Sequence, residues 1–350
     1  MRVAITAFTR RGIELAQRLA CALREEGEQL HCAYPRRLAE ALGQPGYPAL
    51  TAWAGERFGD CEALLFVGAC GIAVRAVAPW VRDKRTDPAV VAVDEAGKWA
   101  VPLLSGHVGG ANALALRVAA LTGGAAAIST ATDVNGVFAV DVWAQRKGLF
   151  LDGREAAKQV SSRLLEGETV GLCSALPTCG EPPEGVVPGP NTVGIWIADT
   201  LDTPPFPVTV QLVPPALTLG IGCRRGSSAE QVERAVRESL EGASLHPRAV
   251  FQVSTIDRKG DEPGLLAFCE RWGLPLVTRT PEELQETPGN FTPSAFVQSV
   301  TGVDNVCERA AVRAGGALVL PKRAEDGVTV AVARRRGTIS LDWEEGIVWD

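Results

Sequence analysis

Through its first 140 residues the chain alternates short apolar runs of strand length with segments whose apolar residues recur at helical spacing, and this rhythm limits the fold most. Residues 3–8 read as a strand and 12–25 as an amphipathic helix closed by Gly27. Residues 63–67 are the next strand; they run into the glycine turn 68–71 and a short helix over 72–78. Residues 90–94 and 99–104 read as strands joined by the turn 95–98, and 125–129 as a further strand. Such alternation is the mark of an α/β fold, in which helices cover an open sheet.

The rhythm weakens from residue 141, where a helix over 154–165 and a strand over 169–173 lead into a stretch rich in Pro and Gly over 177–190. Pro204, Pro205, Pro207, Pro214 and Pro215 continue it as a linker. Strand 217–221 then restarts the pattern, and Ser227 with Glu230 reads as a capping box opening a helix to about residue 240. Strands are expected over 251–256 and 274–278, and helices from Pro263, from Thr280 with Pro281 and Glu283, and from Thr292 with Pro293. A helix over 304–314, ended by Gly315 and Gly316, precedes strands 317–320, 328–333 and 339–341. At 350 residues the chain exceeds one core. The expected division is an N-terminal open α/β sheet domain over 1–140, a small middle α/β domain with its Pro-rich linker over 141–215, and a C-terminal mixed α/β domain over 216–350.

Composition excludes several classes. An apolar fraction of 46% with 22% charged residues is that of a folded, water-soluble protein. The net charge of −6 argues against general nucleic-acid binding. The apolar run 1–8 meets Thr9, Arg10 and Arg11 at once, leaving no room for a signal peptide, and no stretch reaches transmembrane length, so a cytoplasmic protein is expected. Nine cysteines stand singly without a CxxC pair, and His31, His107 and His246 show no H-x-x-x-H spacing. A zinc site borne by the protein is therefore not expected.

Chemistry concentrates in a few turns. Ser105, Gly106, His107, Gly109, Gly110 and Asn112 form a glycine-rich turn between a strand and a helix start, where backbone N–H groups and the helix dipole favour an anion. Its spacing matches neither a P-loop nor a dinucleotide fingerprint. His107 is a candidate general base, with a loop-fixing hydrogen bond as the bland alternative. Thr130, Thr132, Asp133 and Asn135 crowd another strand end; Asp133 is either a catalytic carboxylate or a helix cap.

A second glycine turn, with Gly222, Cys223, Arg224 and Gly226, has its third glycine one position late for dinucleotide binding, and suits a backbone approach to carboxylates helped by Arg224. Cys223 reads either as a nucleophile or as a structural thiol. Thr255 and Asp257 leave the next strand, Asp257 being the first carboxylate beyond it. Ser294, Thr301, Asp304 and Asn305 add polar groups beside helix starts, about half of them explicable as caps.

The segments SGHVGGAN at 105–112 and TATDVNGVFAVD at 130–141 resemble the N-terminal domain of the CbiG family, the cobalt-precorrin-5A hydrolases of anaerobic vitamin B12 biosynthesis. The turn 220–226, STIDRKGDEPG at 254–264 and FTPSAFVQSVTGVDNVCERA at 291–310 resemble its C-terminal domain, which is also similar to the stand-alone CobE type. The resemblance spans nearly the whole chain and is weakest over 142–215.

It implies a hydrolase that opens the ring-A acetate lactone of a cobalt-containing tetrapyrrole (a corrin precursor) and releases acetaldehyde. The expected catalytic residues are His107, Asp133 and Asp257. Ser105, Gly106, Gly109, Gly110, Asn112, Thr132, Asn135, Gly222, Cys223, Arg224, Thr255, Ser294, Thr301, Asp304 and Asn305 are expected to bind substrate. The substrate's carboxylates would account for Arg75, Arg82, Lys84, Arg85 and Arg224. Cobalt arrives inside the substrate, so no cofactor is expected, and the partners are cobalt-precorrin-5A and, transiently, neighbouring methyltransferases of the pathway. The rival readings are a non-catalytic cobalt-precorrin carrier and a dinucleotide-dependent oxidoreductase, the latter damaged by the glycine spacing.

Overall fold

The computed structural model describes residues 1–83, 86–107, 109–130, 134–343 and 345–349. The chain divides into two units, Met1–Val137 and Phe138–Asp350. Among the described residues no helix is long and apolar enough to cross a membrane.

The first unit is a six-stranded sheet built from β1 (Arg2–Ala7), β2 (Gln29–Cys32), β3 (Ala63–Val67), β4 (Ala89–Val93), β5 (Trp99–Leu104) and β6 (Ala125–Ala126), in the order β2-β1-β3-β4-β5-β6. Strands β1, β3 and β4 are apolar at nearly every position because helices cover both faces. One face carries α1 (Arg10–Glu25), whose Ile13, Ala16, Leu19 and Leu23 recur at helical spacing and join Val3, Ile5, Leu65 and Val91 in one core. Thr9 caps α1 by accepting the Gly12 N–H at 2.9 Å. On the opposite face α2 (Leu50–Asp60) and α3 (Cys70–Val77) pack Trp53, Ala54, Ala73 and Val77 onto Leu64 and Phe66.

One reversal decides where the turns lie. The hairpin 95–98 makes β5 antiparallel to β4, with Val90 opposite Leu104, and β6 is parallel to β5. The ends of β5 and β6 therefore reach the edge where β1, β3 and β4 begin, while the turn 68–71 lies at the other edge. The strand expected over 125–129 pairs only at Ala125 and Ala126.

In the second unit a five-stranded sheet holds β7 (Phe150–Asp152), β8 (Val170–Ser174), β9 (Val186–Pro188), β10 (Val193–Ile197) and β11 (Val208–Val213) in the order β9-β8-β10-β11-β7, with β7 antiparallel. Helix α4 (Arg154–Leu165) covers it through Ala156, Val160 and Leu164. A further five-stranded sheet is formed by β12 (Leu217–Cys223), β13 (Val250–Ile256), β14 (Leu276–Arg279), β15 (Ala317–Glu325) and β16 (Val328–Arg334), in the order β14-β13-β12-β16-β15. Strands β12, β13 and β14 are parallel, and β16 pairs antiparallel with both β12 and β15, which makes this sheet mixed.

Helices α5 (Ala229–Glu241) and α6 (Pro263–Trp272) bury Val232, Val236, Leu265 and Phe268 on one face. The other face carries α7 (Cys307–Arg313), which lies so close that a Cβ on Gly220 would meet the Cys307 carbonyl oxygen at 1.8 Å. Glycine at 220 is thus a condition of helix–strand contact.

Two helix starts differ from expectation. The capping box of α5 is formed by Ser228 and Gln231, because the Ser227 hydroxyl donates to the Arg224 carbonyl at 2.9 Å and is not available. Ser294, rather than Thr292, caps the helix over 295–301, because Thr292 bonds Glu308 instead. The Thr280–Glu283 capping box forms as its residues require.

Polar contacts fasten the two five-stranded sheets of this unit. Buried Asp199 accepts from Arg334 Nε at 2.5 Å, and its carbonyl accepts the His246 N–H at 2.8 Å. His246 Nδ1 accepts the Arg248 N–H at 3.1 Å, which leaves its Nε2 as the protonated nitrogen, 3.6 Å from Asp152 Oδ2. Burial lowers the His246 pKa below its ordinary 6.5, and Asp152 opposes that shift only in part.

The unfolded chain therefore takes up a proton as pH falls through 6.5, whereas the folded chain does so only at lower pH. This contribution to stability is complete above that value and is lost as pH falls below it. The melting temperature is expected to drop between about pH 7.5 and 5.5, with a smaller drop in His246→Asn, whose amide oxygen still accepts the Arg248 N–H. Equal slopes in the two proteins would refute this.

Candidate functional site

Leu104 ends β5 and Ser105 follows with φ of +56°, a left-handed conformation uncommon for a residue with a Cβ. Its hydroxyl donates to the Asp87 carbonyl at 2.9 Å, and Asp87 Oδ2 accepts the Arg82 N–H at 2.9 Å. Buried Asp87 thereby ties the loop ahead of β4 to the glycine turn. The turn is closed by Ala111 N–H to Ser105 O at 3.1 Å, Asn112 N–H to Gly106 O at 2.9 Å and Gly110 N–H to His107 O at 2.9 Å. A Cβ on Gly109 would fall 2.2 Å from Ser105 Cβ, so only glycine permits this closure.

The expected row of free N–H groups is corrected accordingly. Three of them are spent on the turn itself, and the Gly109 N–H bonds to none of the described residues. Helix 111–122 starts here, so a donor at Gly109 would act together with a helix N-terminus.

Asn112, 8% exposed, donates from Nδ2 to Thr130 Oγ1 at 3.1 Å. This bond brings together two motifs 18 residues apart in sequence. The Thr130 carbonyl accepts the Val134 N–H at 3.0 Å, and Asn135 is exposed beyond it. Thr132, Asp133, Lys84 and Arg85 lie outside the described residues. One edge of the first unit thus gathers Arg82, Asp87, Ser105, His107, Gly109, Asn112 and Thr130. Arg75 is held differently, donating to Gly71 O at 3.2 Å beyond the other edge.

In the second unit β12 and β13 deliver their turns to a common edge. The Gly226 N–H donates to Glu262 Oε1 at 2.5 Å and Lys259 Nζ to Glu262 Oε2 at 3.0 Å, so buried Glu262 joins turn 222–226 to turn 257–262. The Gly226 N–H and, after it, Lys259 hold the Glu262 carboxyl below the usual carboxylate range. Glu262 reads in the sequence as a cap for its own helix, yet its side chain crosses to the neighbouring turn.

Burial raises the pKa of half-buried Cys223, which keeps it a thiol and favours its structural role over a nucleophilic one. The Gly222 carbonyl accepts Thr329 Oγ1 at 3.1 Å. Arg224 is anchored by its N–H to Gly327 O at 2.9 Å while its side chain is exposed. Asp257 is exposed at the end of β13, and its Oδ1 accepts the Arg258 N–H at 2.6 Å.

Other residues expected to bind substrate are occupied within the fold. Thr255 is fully buried and donates to Ile221 O at 2.7 Å. Ser294 accepts the Val297 N–H as a cap, and Thr301 Oγ1 bonds Val297 O at 2.8 Å. Asp304 pairs with Arg309 Nε at 2.7 Å, and that guanidinium holds its carboxyl low.

Asn305, 1% exposed, donates to Thr292 O and to Glu308 Oε2, both at 2.8 Å, and accepts the Glu308 N–H at 2.9 Å. Through these bonds Ser294, Thr301, Asp304 and Asn305 fix the loop around α7. Glu308, fully buried at the centre of that network, is the residue whose importance its sequence context hides. Its position opening an amphipathic helix reads as an ordinary first-turn carboxylate.

Models of the CbiG family match the chain in order: the N-terminal domain over residues 52–133, the central region over 138–214 and the C-terminal domain over 217–333. The cobalt-precorrin-5A hydrolase of Salmonella typhimurium is 35% identical over 344 residues, covering 94% of this chain and 97% of that protein. The cobalt-precorrin-5A hydrolase of Priestia megaterium is 29% identical over 355 residues, covering 94% of each. Protein CobE of a Sinorhizobium species is 29% identical over 121 residues, 33% of this chain and 79% of that protein. With three domain models in order and 35% identity along nearly its full length, the chain belongs to the CbiG family of cobalamin biosynthesis proteins.

Proposed function

We propose that this protein is a cobalt-precorrin-5A hydrolase, which opens the ring-A acetate lactone with water and releases acetaldehyde to give cobalt-precorrin-5B. The observation that carries this reading is the likeness to the Salmonella enzyme over 94% of the chain. The cytoplasm, where the rest of such a pathway would operate, is its proposed location.

The chemistry needs a base for water, a donor for the oxyanion of the opening lactone, and a second proton removal. Water adds to the lactone carbonyl, and the ring oxygen departs as a secondary alcohol, leaving a carboxylate. Loss of the alcohol proton forms the aldehyde C=O, and the carbon–carbon bond to the macrocycle breaks. Its electron pair passes into the conjugated ring, which takes up a proton. His107, in a turn at a sheet edge, is proposed as the base. The Gly109 N–H, bonded to none of the described residues, supplies an oxyanion donor at a helix N-terminus. Asp133 is proposed as a further proton acceptor.

Asp257, exposed at a strand end, is proposed to orient or deprotonate substrate at the edge of the second unit. Arg82 and Arg224 are exposed cations suited to substrate carboxylates. Cobalt is substrate cargo, and the reaction as written needs no redox partner. Transient contact with a neighbouring methyltransferase of the pathway is proposed as well.

The test is anaerobic incubation of the purified protein with enzymatically prepared cobalt-precorrin-5A, with trapping of acetaldehyde and mass spectrometry of the corrinoid. Acetaldehyde together with the mass loss expected for cobalt-precorrin-5B supports the hydrolase. Tight binding of unchanged substrate would replace it with a carrier.

A further inference from the structure

The helix Ala295–Thr301 has no buried residue, and its Phe296 and Val300 are 77% and 55% exposed. Four residues apart, they form one apolar stripe. The helix is held from beneath: Val297 packs on the cluster of Ile256, Leu284, Val303 and Val306, at the end of β13. It is also held from the side, where Arg258 Nη1 donates to the Val300 carbonyl at 2.7 Å. The stripe is therefore fixed beside the turn that presents Asp257, and Glu262 connects that turn to the one presenting Arg224 and Arg225. Arg224, Arg225 and Arg258 are exposed, whereas the carboxylate between the turns, Glu262, is buried and paired with Lys259. An exposed aromatic beside exposed arginines suits a ligand with a flat apolar face and an anionic rim.

Resting on the function proposed above, we propose that Phe296 and Val300 form the surface against which the substrate's macrocycle lies, and that Arg258 meets one of its peripheral carboxylates. The ring covers the stripe, and the rim carboxylate pairs with the guanidinium nitrogens that Val300 does not use. This assigns macrocycle docking to the edge of the β12–β13 sheet and gives Arg258 two tasks, holding the helix and reading the substrate's charge.

The experiment titrates the full-length protein with two stable cobalt corrins, dicyanocobyrinic acid, which carries carboxylates, and cobinamide, which carries amides, following tryptophan fluorescence. Saturable binding of the acid by the unmodified protein is expected. Phe296→Ser is expected to weaken both probes about tenfold, with Val300→Ser as a second variant, and an unchanged melting temperature because both side chains are exposed. Arg258→Gln, whose amide can still donate a hydrogen bond to the helix, is expected to weaken the acid more than the amide probe. Wild-type affinity of both Phe296→Ser and Arg258→Gln for both probes would overturn the proposal, as would absence of corrin binding by the unmodified protein. Acetaldehyde release is assayed in parallel. Corrin binding that depends on Phe296 without acetaldehyde release removes the hydrolase reading and keeps the docking surface. Normal release with an unchanged KM in Phe296→Ser does the reverse.

Discussion

Glu308→Ala is expected to destabilise the second unit by about 3–5 kcal/mol, read as a lower denaturant midpoint at unchanged slope. The carboxylate is fully buried and accepts from four donors. Oε1 takes the Thr292 hydroxyl at 3.0 Å and the Lys322 N–H at 2.7 Å. Oε2 takes the Thr292 N–H at 2.7 Å and Asn305 Nδ2 at 2.8 Å. Alanine removes the shared acceptor of all four donors and leaves a void at a fully buried site; of those donors the Asn305 amide is itself buried, and a buried donor without an acceptor costs about 1–3 kcal/mol.

Glu308→Gln separates polarity from volume. Its amide fills the same space, but whichever end carries the NH2 then faces a backbone N–H, from Lys322 or from Thr292. An intermediate loss is expected. A midpoint for Glu308→Ala equal to that of the unmodified protein would refute the account.

Elements whose signals are local were legible in the sequence. The apolar runs of β1, β3 and β4, the amphipathic face of α1 and the Thr280–Glu283 box all form where their residues place them, because strand burial, helix periodicity and capping act over a few residues. The edge on which each turn lies was not legible, since it depends on one reversal at β5. The capping errors share a cause: the hydroxyls of Ser227 and Thr292 are claimed by partners outside the helix start, the Thr292 partner lying 16 residues away.

Site residues divide in the same way. Glycine turns mark themselves, because a missing Cβ at Gly109 or Gly220 is a local fact with a spatial reason. At Thr255, Thr301 and Asn305 the polar density of the sequence marks side chains whose hydrogen bonds hold the fold, a use that no local signal separates from ligand binding. Exposure decided what composition could not, and it singled out Asp257, Arg224 and Phe296.

His107→Ala is expected to lower kcat about a hundredfold or more, the typical contribution of a positioned acid–base group, with little change in KM. The residue follows a strained Ser105 and a Gly106 packed against Asn112, and its carbonyl is fixed by the Gly110 N–H at 2.9 Å, so the backbone that carries the imidazole is held in place. A base works in its neutral form. The unmodified rate should therefore carry a limb that rises with pH as the base loses its proton, and that limb should vanish in the variant. His107→Gln distinguishes the two roles open to this side chain, since an amide can still hydrogen-bond the loop but cannot take a proton at neutral pH. If the glutamine variant keeps wild-type turnover and its pH limb, His107 only fixes the turn, and the proton acceptor has to be sought at Asp133 or Asp257. If it falls as far as alanine while its melting temperature stays unchanged, proton transfer rather than loop geometry is what the imidazole supplies.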